Sequence, residues 1–533
     1  MQMKKIIAIF TFLTLPIFAN NTQKTHLDII NGFDAFGNAV KNITTKYIED
    51  VAVDKLIEKG IEGMLADLDP YAEYFTNSNN EMVIISNGRY FGFGFSYSVI
   101  HNKIVVNNVR DNSPAKDEEM KIGDIIVSAD TILLDSANVE KTFADITNQE
   151  VLLKIHRIGI KDTLNIRIRK DVVDVHSVTY SDILDITIND SIPSPNNIGY
   201  IRLEQFTANS YTEFLKAFYD LQKKCMLEGL IIDLRGNGGG VLDDALKICN
   251  MFVPRGSTIL TTSGRNANRE YKAMLNPIDT LLPLVVLIDG GSASASEVVS
   301  GCLQDLDRAT IIGNTSFGKG LVQEVFPLTQ THFLKLTTSK YYTPSGRCIQ
   351  KIDHYHNNDT TSIDSAKVFY TKKGKKVYEL NGITPDIFSD KDTIHSRLAR
   401  IMLNNHVLYN FMTYYLNVVA KGQDDIDTIY SNFINYATNY DNARYIKTIA
   451  LLDSVKKVDT NAITHKIIDN TIDSILLGYK QLLAENSNTQ IAIKKFLEYD
   501  YKSRTLNYKN YLKFAILEDK TIKVALEAFL KDK

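Results

Sequence analysis

Apolar residues change their spacing along this chain, and the changes divide it into parts. In residues 28–80, Val53, Leu56, Ile57, Gly60, Ile61, Met64 and Leu65 recur at the 3.6-residue period of an amphipathic helix. Asp69-Pro70 ends that run. Between residues 90 and 172 the period shortens to two. Short apolar runs at 104–106, 125–127, 151–155 and 164–168 are separated by glycines and turns, which predicts a small, mostly-β module. Residues 173–390 mix the two periods. Buried-type strands are predicted at 198–203, 229–234 and 284–289, and helices over 210–224, over 242–252 and from Ala295 onward. Strands alternating with helices predict an α/β core. After Pro385 there is no proline, only Gly422 and Gly478 remain, and Leu398, Ile401, Met402, Val407 and Leu408 keep a helical stripe. That composition predicts an all-helical region to the end of the chain.

At 533 residues the chain is too long for one ordinary domain. The expected fold class is therefore multidomain α/β. The expected parts are an N-terminal helical segment at 20–80, the β module at 85–172, the α/β core at 173–390 and the helical region at 391–533. A net charge of -3 gives no electrostatic footprint for nucleic acid or an anionic membrane. Residues 1–19 read as an export signal. Lys4 and Lys5 precede an apolar stretch from Ile6 to Phe18, short for a bilayer span, and Ala19 is a plausible residue before the cut. Ile17 is larger than usual at its position, and an uncleaved anchor is the alternative. The mature protein is expected outside the cytoplasm, in the periplasm. Cys225, Cys249, Cys302 and Cys348 are scattered without metal-type spacing and read as buried thiols.

The chemistry concentrates in two stretches, Gly290-Gly-Ser-Ala-Ser-Ala-Ser-Glu297 and Phe317-Gly-Lys-Gly320 followed by Gln323. A serine hydroxyl needs a base within hydrogen-bond reach before it can attack a carbonyl. Ser294, at a predicted strand-to-helix turn, is placed for exposure, with helix N–H groups aimed at a developing oxyanion. Taken alone, Ser292, Ser294 and Ser296 also suit simple helix capping. Lys319 changes that balance. Its flanking glycines and the apolar Ile311, Ile312, Phe317, Leu321 and Val322 suit a partly buried amine kept neutral. In a strand, positions i and i+4 share a face, so Gln323 can orient that amine without an ion pair that would hold it protonated.

The loop Asp233-Leu-Arg-Gly-Asn-Gly-Gly-Gly240 follows one buried strand and precedes a helix. No Gly-Lys-Ser/Thr closes it, which argues against a phosphate loop. An oxyanion hole from Gly238 or Gly239 with the amide of Ala295 fits better. Asp233 and Arg235 are expected to shape the loop. His332 is a second candidate base, and His354 with His356 reads as a surface pair. A glycine loop also opens the β module, at Tyr90-Phe-Gly-Phe-Gly-Phe95. Such a loop before an edge strand can receive a peptide's terminal carboxylate, with the peptide adding as a strand. Glycines that merely pack closely are the plainer reading.

With these motifs in this order, together with Gln304-Asp305 and Tyr341-Tyr-Thr-Pro-Ser-Gly-Arg347, the chain resembles the carboxyl-terminal processing peptidases, or tail-specific proteases. The likeness covers about residues 40–390. The resemblance implies a ClpP/crotonase-like core carrying an inserted PDZ-like module, and a serine endopeptidase without metal or other cofactor. It implies Ser294 as nucleophile, Lys319 as general base, Gln323 as its orienter and Asp305 as structural support. It also implies that Phe91, Gly92, Phe93 and Gly94 receive the C-terminal tails of unstructured polypeptides, which tend to end in small or apolar residues. The segment before the core lacks a recognisable counterpart to some family forms. The helical region exceeds the minimal pattern and suits self-association, an adaptor or a brace. The rivals are a non-catalytic peptide- or ligand-binding protein on the same scaffold, and a trypsin-like protease, whose PDZ module would normally follow the catalytic domain.

Overall fold

A computed structural model describes residues 20–76, 88–146, 150–185, 197–265, 268–351, 367–379, 382–389, 396–422 and 424–531. The expected signal segment and the His354/His356 pair lie outside the described residues. The chain forms two units, one of residues 1–76 with 324–337 and one of 77–323 with 338–533.

In the smaller unit the predicted helix forms as Val53–Leu65, after a longer helix Asn20–Lys46. The Phe36 ring lies where a Cβ on Gly60 would sit, at 2.9 Å, so the glycine allows the two helices to approach. The apolar stripe is not buried: no residue of Val53–Leu65 is. The strand Glu73–Thr76 pairs antiparallel with the start of His332–Tyr342, where Tyr74 stacks on His332 and Phe75 on Phe333. His332, the second candidate base, spends its Nδ1 on the hydroxyls of Thr329 and Thr331, each at 2.9 Å.

The larger unit holds the β module, the α/β core and the helices. The module's sheet runs in the order Phe95–Ile100, Lys103–Val109, Ile125–Ala129, Glu150–His156, Leu164–Arg169. Phe95–Ile100 is thus an edge strand. A short pair, Arg89–Gly92 with Asp171–Asp174, closes the module's ends, and Phe93, Ile104, Val106, Ile126, Leu153 and Ile168 fill its core.

The α/β core is a six-stranded sheet in the order Val178–Leu184, Ile198–Leu203, Gly229–Asp233, Leu284–Ile288, Thr310–Gly313, Ile387–Phe388. Its central strands pair in parallel, and Gly229–Asp233 and Leu284–Ile288 are buried at every residue. Continuous apolar runs are what a parallel strand covered on both faces requires. Leu230, Ile232, Val286 and Ile288 face the helices Ser210–Lys224, Leu242–Phe252 and Ala295–Asp305. The alternate residues Ile231, Val285, Leu287 and Ile312 face the last two helices, Tyr508–Leu517 and Lys520–Lys531.

Packing therefore divides the C-terminal helical region. Helices from Arg397–Asn404 to Ser487–Thr505 build their own core around Phe411, Phe433, Leu483 and Leu497. The final two helices instead form the third layer of the α/β core. A Cβ on Gly229 would meet the Phe529 ring at 2.5 Å, so this strand is shaped to take that helix. Truncating a buried phenylalanine such as Phe529 costs about 3–5 kcal/mol.

Candidate active site

Two turns meet at the C-terminal ends of the central strands. The first follows Leu284–Ile288. Asp289 Oδ1 accepts from the amides of Gly236 and Gly291, both at 2.9 Å, which pins the serine turn to the glycine loop. Ser292 Oγ donates to the Leu234 carbonyl at 2.8 Å and Ser296 Oγ to the Asn237 carbonyl at 2.8 Å. Both serines are fully buried and serve as stitching. Ser294 alone of the three is partly exposed. It stands at the head of Ala295–Asp305 with φ 54° and ψ −112°, a backbone that non-glycine residues rarely adopt. Strain of this kind persists only where surroundings over-determine it, and it gathers at functional sites.

Glu297 supplies much of that constraint. Its carboxylate is fully buried and accepts four hydrogen bonds. Oε2 takes the amides of Ser294 and Lys319, each at 2.9 Å. Oε1 takes the Ser316 hydroxyl at 2.5 Å and the Gly318 amide at 2.7 Å. One oxygen thus fixes the backbones of the candidate nucleophile and base together. Burial pushes the Glu297 carboxyl up, while these hydrogen bonds pull the other way. Tyr341 repeats the clamp on the carbonyl side: its hydroxyl lies against the carbonyls of Ser294, at 3.2 Å, and Lys319. Burial holds this phenol well above its ordinary value, so it stays a donor. Both residues sit inside the motifs of the sequence, where nothing marks these roles. The only signals were a glutamate three residues after Ser294, which reads as a helix cap, and a tyrosine before a turn.

Lys319 is half-buried, and its Nζ donates to Gln323 Oε1 at 2.9 Å. The i, i+4 expectation is met although the strand proper begins only at Leu321. Ile311, Ile312 and Leu321 are buried as expected, whereas Phe317 is 47% exposed. Asp305 lies at the far end of the nucleophile's helix. It accepts from Arg347 Nη2 at 2.8 Å and from the Ser345 amide at 3.0 Å, anchoring the turn that follows Tyr341.

In the glycine loop, Gly239 has φ +100°, and a Cβ there would meet the Ala293 carbonyl and Ser294 Cβ at 2.8 Å. Only glycine lets the loop approach the serine so closely. The Gly239 amide is already committed to Asn237 Oδ1 at 2.9 Å. Gly238 is exposed, with nothing within 4 Å of its Cβ position. Ala295 is the first residue of its helix, where the N–H has no intrahelical acceptor. Below the loop, the buried Asp233 carboxylate gathers Tyr200 Oη at 2.6 Å, Arg202 Nη1 at 3.4 Å and Arg235 Nη2 at 2.6 Å. Burial pushes this carboxyl up, but the two guanidinium groups and the phenol outweigh it and hold it at about 2.

In the β module, Phe91 is 55% exposed, and Gly92, Phe93 and Gly94 are buried. The carbonyls of Phe93 and Gly94 accept from the amides of Ala115 and Arg110, both at 2.9 Å. Gly94 has φ +83°, and a Cβ there would strike Ser113 at 2.2 Å. The loop leads into the edge strand Phe95–Ile100, beside the helix Val139–Asp145. Phe143 from that helix touches the rings of Phe93, Phe95 and Tyr97 at 5.6–6.2 Å. Lys170, which no motif of the sequence singles out, lies 5.3 Å over the Phe93 ring and donates to the Ile146 carbonyl at 2.8 Å. Burial lowers its ammonium pKa.

Comparison with known proteins agrees with this division. Residues 197–355 match the model of peptidase family S41, residues 92–175 that of the PDZ domain, and residues 17–79 that of the activating protease CtpB N-terminal domain. The last match gives the N-terminal segment a counterpart in one family form. The apolar stripe there reads only as a helix, and a helix alone names no family. The carboxy-terminal-processing protease of Bartonella bacilliformis is 36% identical over 63% of this chain and 76% of its own length. CtpB of Bacillus subtilis is 31% identical over 60% of this chain and 65% of its own, and CtpA of that organism 30% identical over 64% and 72%. Among the described residues no helix is long and apolar enough to cross a membrane. The chain belongs to the carboxy-terminal processing protease family, serine-type peptidases with a PDZ domain and an S41 core.

Proposed function

We propose that this chain is an exported endopeptidase working through a Ser294/Lys319 dyad. The observation that carries the reading is the shared acceptor: one Glu297 oxygen holds the amides of both residues. Neutral Lys319 Nζ takes the proton of Ser294 Oγ as the oxygen bonds to the scissile carbonyl carbon. Gln323 Oε1 orients the amine. The tetrahedral oxyanion rests on the amides of Gly238 and Ala295, because Gly239 has spent its own on Asn237. The carbon–nitrogen bond then breaks, the lysine ammonium protonates the leaving amine, and Ser294 remains acylated. Water attacks the ester, gives its proton to Lys319, and the proton returns to Ser294 Oγ as the acid product leaves.

The substrate is a polypeptide with a free C-terminus. Its tail adds to the edge strand Phe95–Ile100, and its carboxylate meets the loop Phe91–Gly94. The aromatic cluster of Phe93, Phe95, Tyr97 and Phe143 favours an apolar last side chain. Lys4, Lys5 and the apolar run to Phe18 support export to the periplasm. The test is cleavage of an unfolded polypeptide with an apolar free C-terminus, by wild type and by Ser294→Ala, beside an amidated copy. Cleavage by wild type alone, weakened by amidation, is expected. Tight binding without cleavage by wild type overturns the reading in favour of a binding protein.

A further inference from the structure

The helix that ends the chain touches the loop proposed to hold the oxyanion. Asp519 stands between Tyr508–Leu517 and Lys520–Lys531, the two helices that cover the outer face of the catalytic sheet. Its two carboxylate oxygens do different things. Oδ1 accepts from the amides of Thr521 at 2.8 Å and Ile522 at 3.4 Å, capping the final helix. Oδ2 pairs with Arg235 Nη1 at 2.6 Å. The other edge of that guanidinium, Nε and Nη2, is held by Asp233. Arg235 immediately precedes Gly236, whose amide is the loop's tie to Asp289 at 2.9 Å, and the loop then runs on to Gly238.

A second contact reinforces the first. The Tyr508 hydroxyl donates to Glu204, Glu204 pairs with Arg202 at 3.0 Å, and Arg202 reaches Asp233 at 3.4 Å. Both contacts from the C-terminal helices therefore converge on the Asp233–Arg235 pair. Arg235 has a carboxylate on each side, one from the sheet and one from the end of the chain. A planar guanidinium held along two edges has little freedom to rotate.

We propose that Asp519 is a positioning residue for catalysis, fixing Arg235 and through it the glycine loop that aligns the Gly238 amide. The C-terminal helices are then a working part of the catalytic body. This rests on the oxyanion role proposed above for the loop. Misplacing a preorganised donor by a fraction of an ångström weakens the transition state more than the bound substrate. The signature is a loss in kcat with KM preserved.

Asp519→Asn is the informative change. Asparagine caps a helix as well as aspartate does, so the final helix keeps its cap while Arg235 loses its ion pair. Steady-state cleavage of the unfolded polypeptide is expected to show kcat about tenfold lower, with KM within about twofold. The melting temperature is expected to fall by no more than a few degrees, since Arg235 keeps its ion pair with Asp233 and is not left as an unpaired charge. Asp519→Glu, which restores the charge, is expected to recover most of the lost kcat. The proposal is overturned if Asp519→Asn keeps kcat within about twofold of wild type, or if kcat falls only in step with the folded fraction. Two controls isolate the underlying reading: Ser294→Ala must be inactive, and a peptide boronate, which mimics the tetrahedral adduct, must inhibit wild type. If both hold and Asp519→Asn matches wild type, only the coupling fails. If either control fails, the serine and oxyanion reading falls, and the coupling with it.

Discussion

The two glycine-rich loops of this protein are built in opposite ways. In the catalytic core, the loop from Leu234 to Gly240 is held by side chains: Asp289, Ser292 and Ser296 stitch it to the serine turn, Asn237 holds the Gly239 amide within the loop, and Asp233 anchors its start. In the β module, the segment from Phe91 to Gly94 is held by backbone: Phe91 and Gly92 pair with Val172 and Asp171, the carbonyls of Phe93 and Gly94 accept from Ala115 and Arg110, and the strand beyond has an open edge. Chemistry on a developing charge needs dipoles already in place. Capture of a polypeptide tail needs an unfilled ladder of backbone groups. The one loop is closed by side chains; the other is held by backbone and leads into an edge strand with one side unpaired, the side proposed to take the peptide.

The contrast breaks most sharply at the proposed dyad. Ser294→Ala, Lys319→Ala and Lys319→Arg are each expected to reduce turnover by about 10⁴-fold or more. Arginine fails because a guanidinium stays protonated and cannot act as a base. Tail binding, read by fluorescence anisotropy of a labelled peptide, is expected to be unchanged in all three. Activity surviving in Lys319→Arg would rule out the lysine as base.

Next in size is Glu297→Gln. The carboxylate serves four donors, two on each oxygen. An amide presents one oxygen and turns an N–H₂ towards donors at the other end, leaving buried groups unsatisfied at about 1–3 kcal/mol each. A loss of about 10²-fold in kcat together with a lower melting temperature is expected. An unchanged kcat would mean the shared oxygen does not set the geometry of the pair.

Amidating the substrate's C-terminus tests the open loop. Losing charge-assisted hydrogen bonds to a carboxylate is expected to raise KM about tenfold, with kcat unchanged. A change confined to kcat would instead make the β module a gate rather than a binding site.

How much of this could be read in the sequence follows the same contrast. The central strands were legible because a parallel strand buried on both faces leaves a continuous apolar run, as at Leu230–Ile232 and Leu284–Ile288. Lys319 and Gln323 could be paired because strand geometry relates residues four apart. Glu297 and Tyr341 could not be given their roles, since the bonds that tie each of them to Lys319 span 22 residues along the chain. The C-terminal helices were legible as helices, from period alone. That the last two roof the sheet while the others form their own core depends on which apolar stripe meets which, and a stripe does not name its partner. Asp519 looks like any helix cap until Arg235 is beside it.

The smallest effect expected is on stability in acid, and it separates the loops by charge. The Asp233 carboxyl is held at about 2, against an ordinary value of 3.8. A carboxylate whose folded value is depressed stabilises the fold above its unfolded value, and that contribution is lost as pH falls through the folded value. The window therefore lies between about pH 4 and pH 2, and the contribution is about 2 kcal/mol. Asp233→Asn removes this titration, whatever else it costs at neutral pH. The stability difference between wild type and variant, measured by urea unfolding, is expected to be constant above about pH 5 and to shrink by that amount towards pH 2. The Phe91–Gly94 loop carries no ionisable side chain, so no comparable step belongs to it. A difference that stays flat would mean that Arg202, Arg235 and Tyr200 do not hold Asp233 ionised. The glycine loop would then owe its shape to the backbone and Asn237 rather than to the charge beneath it.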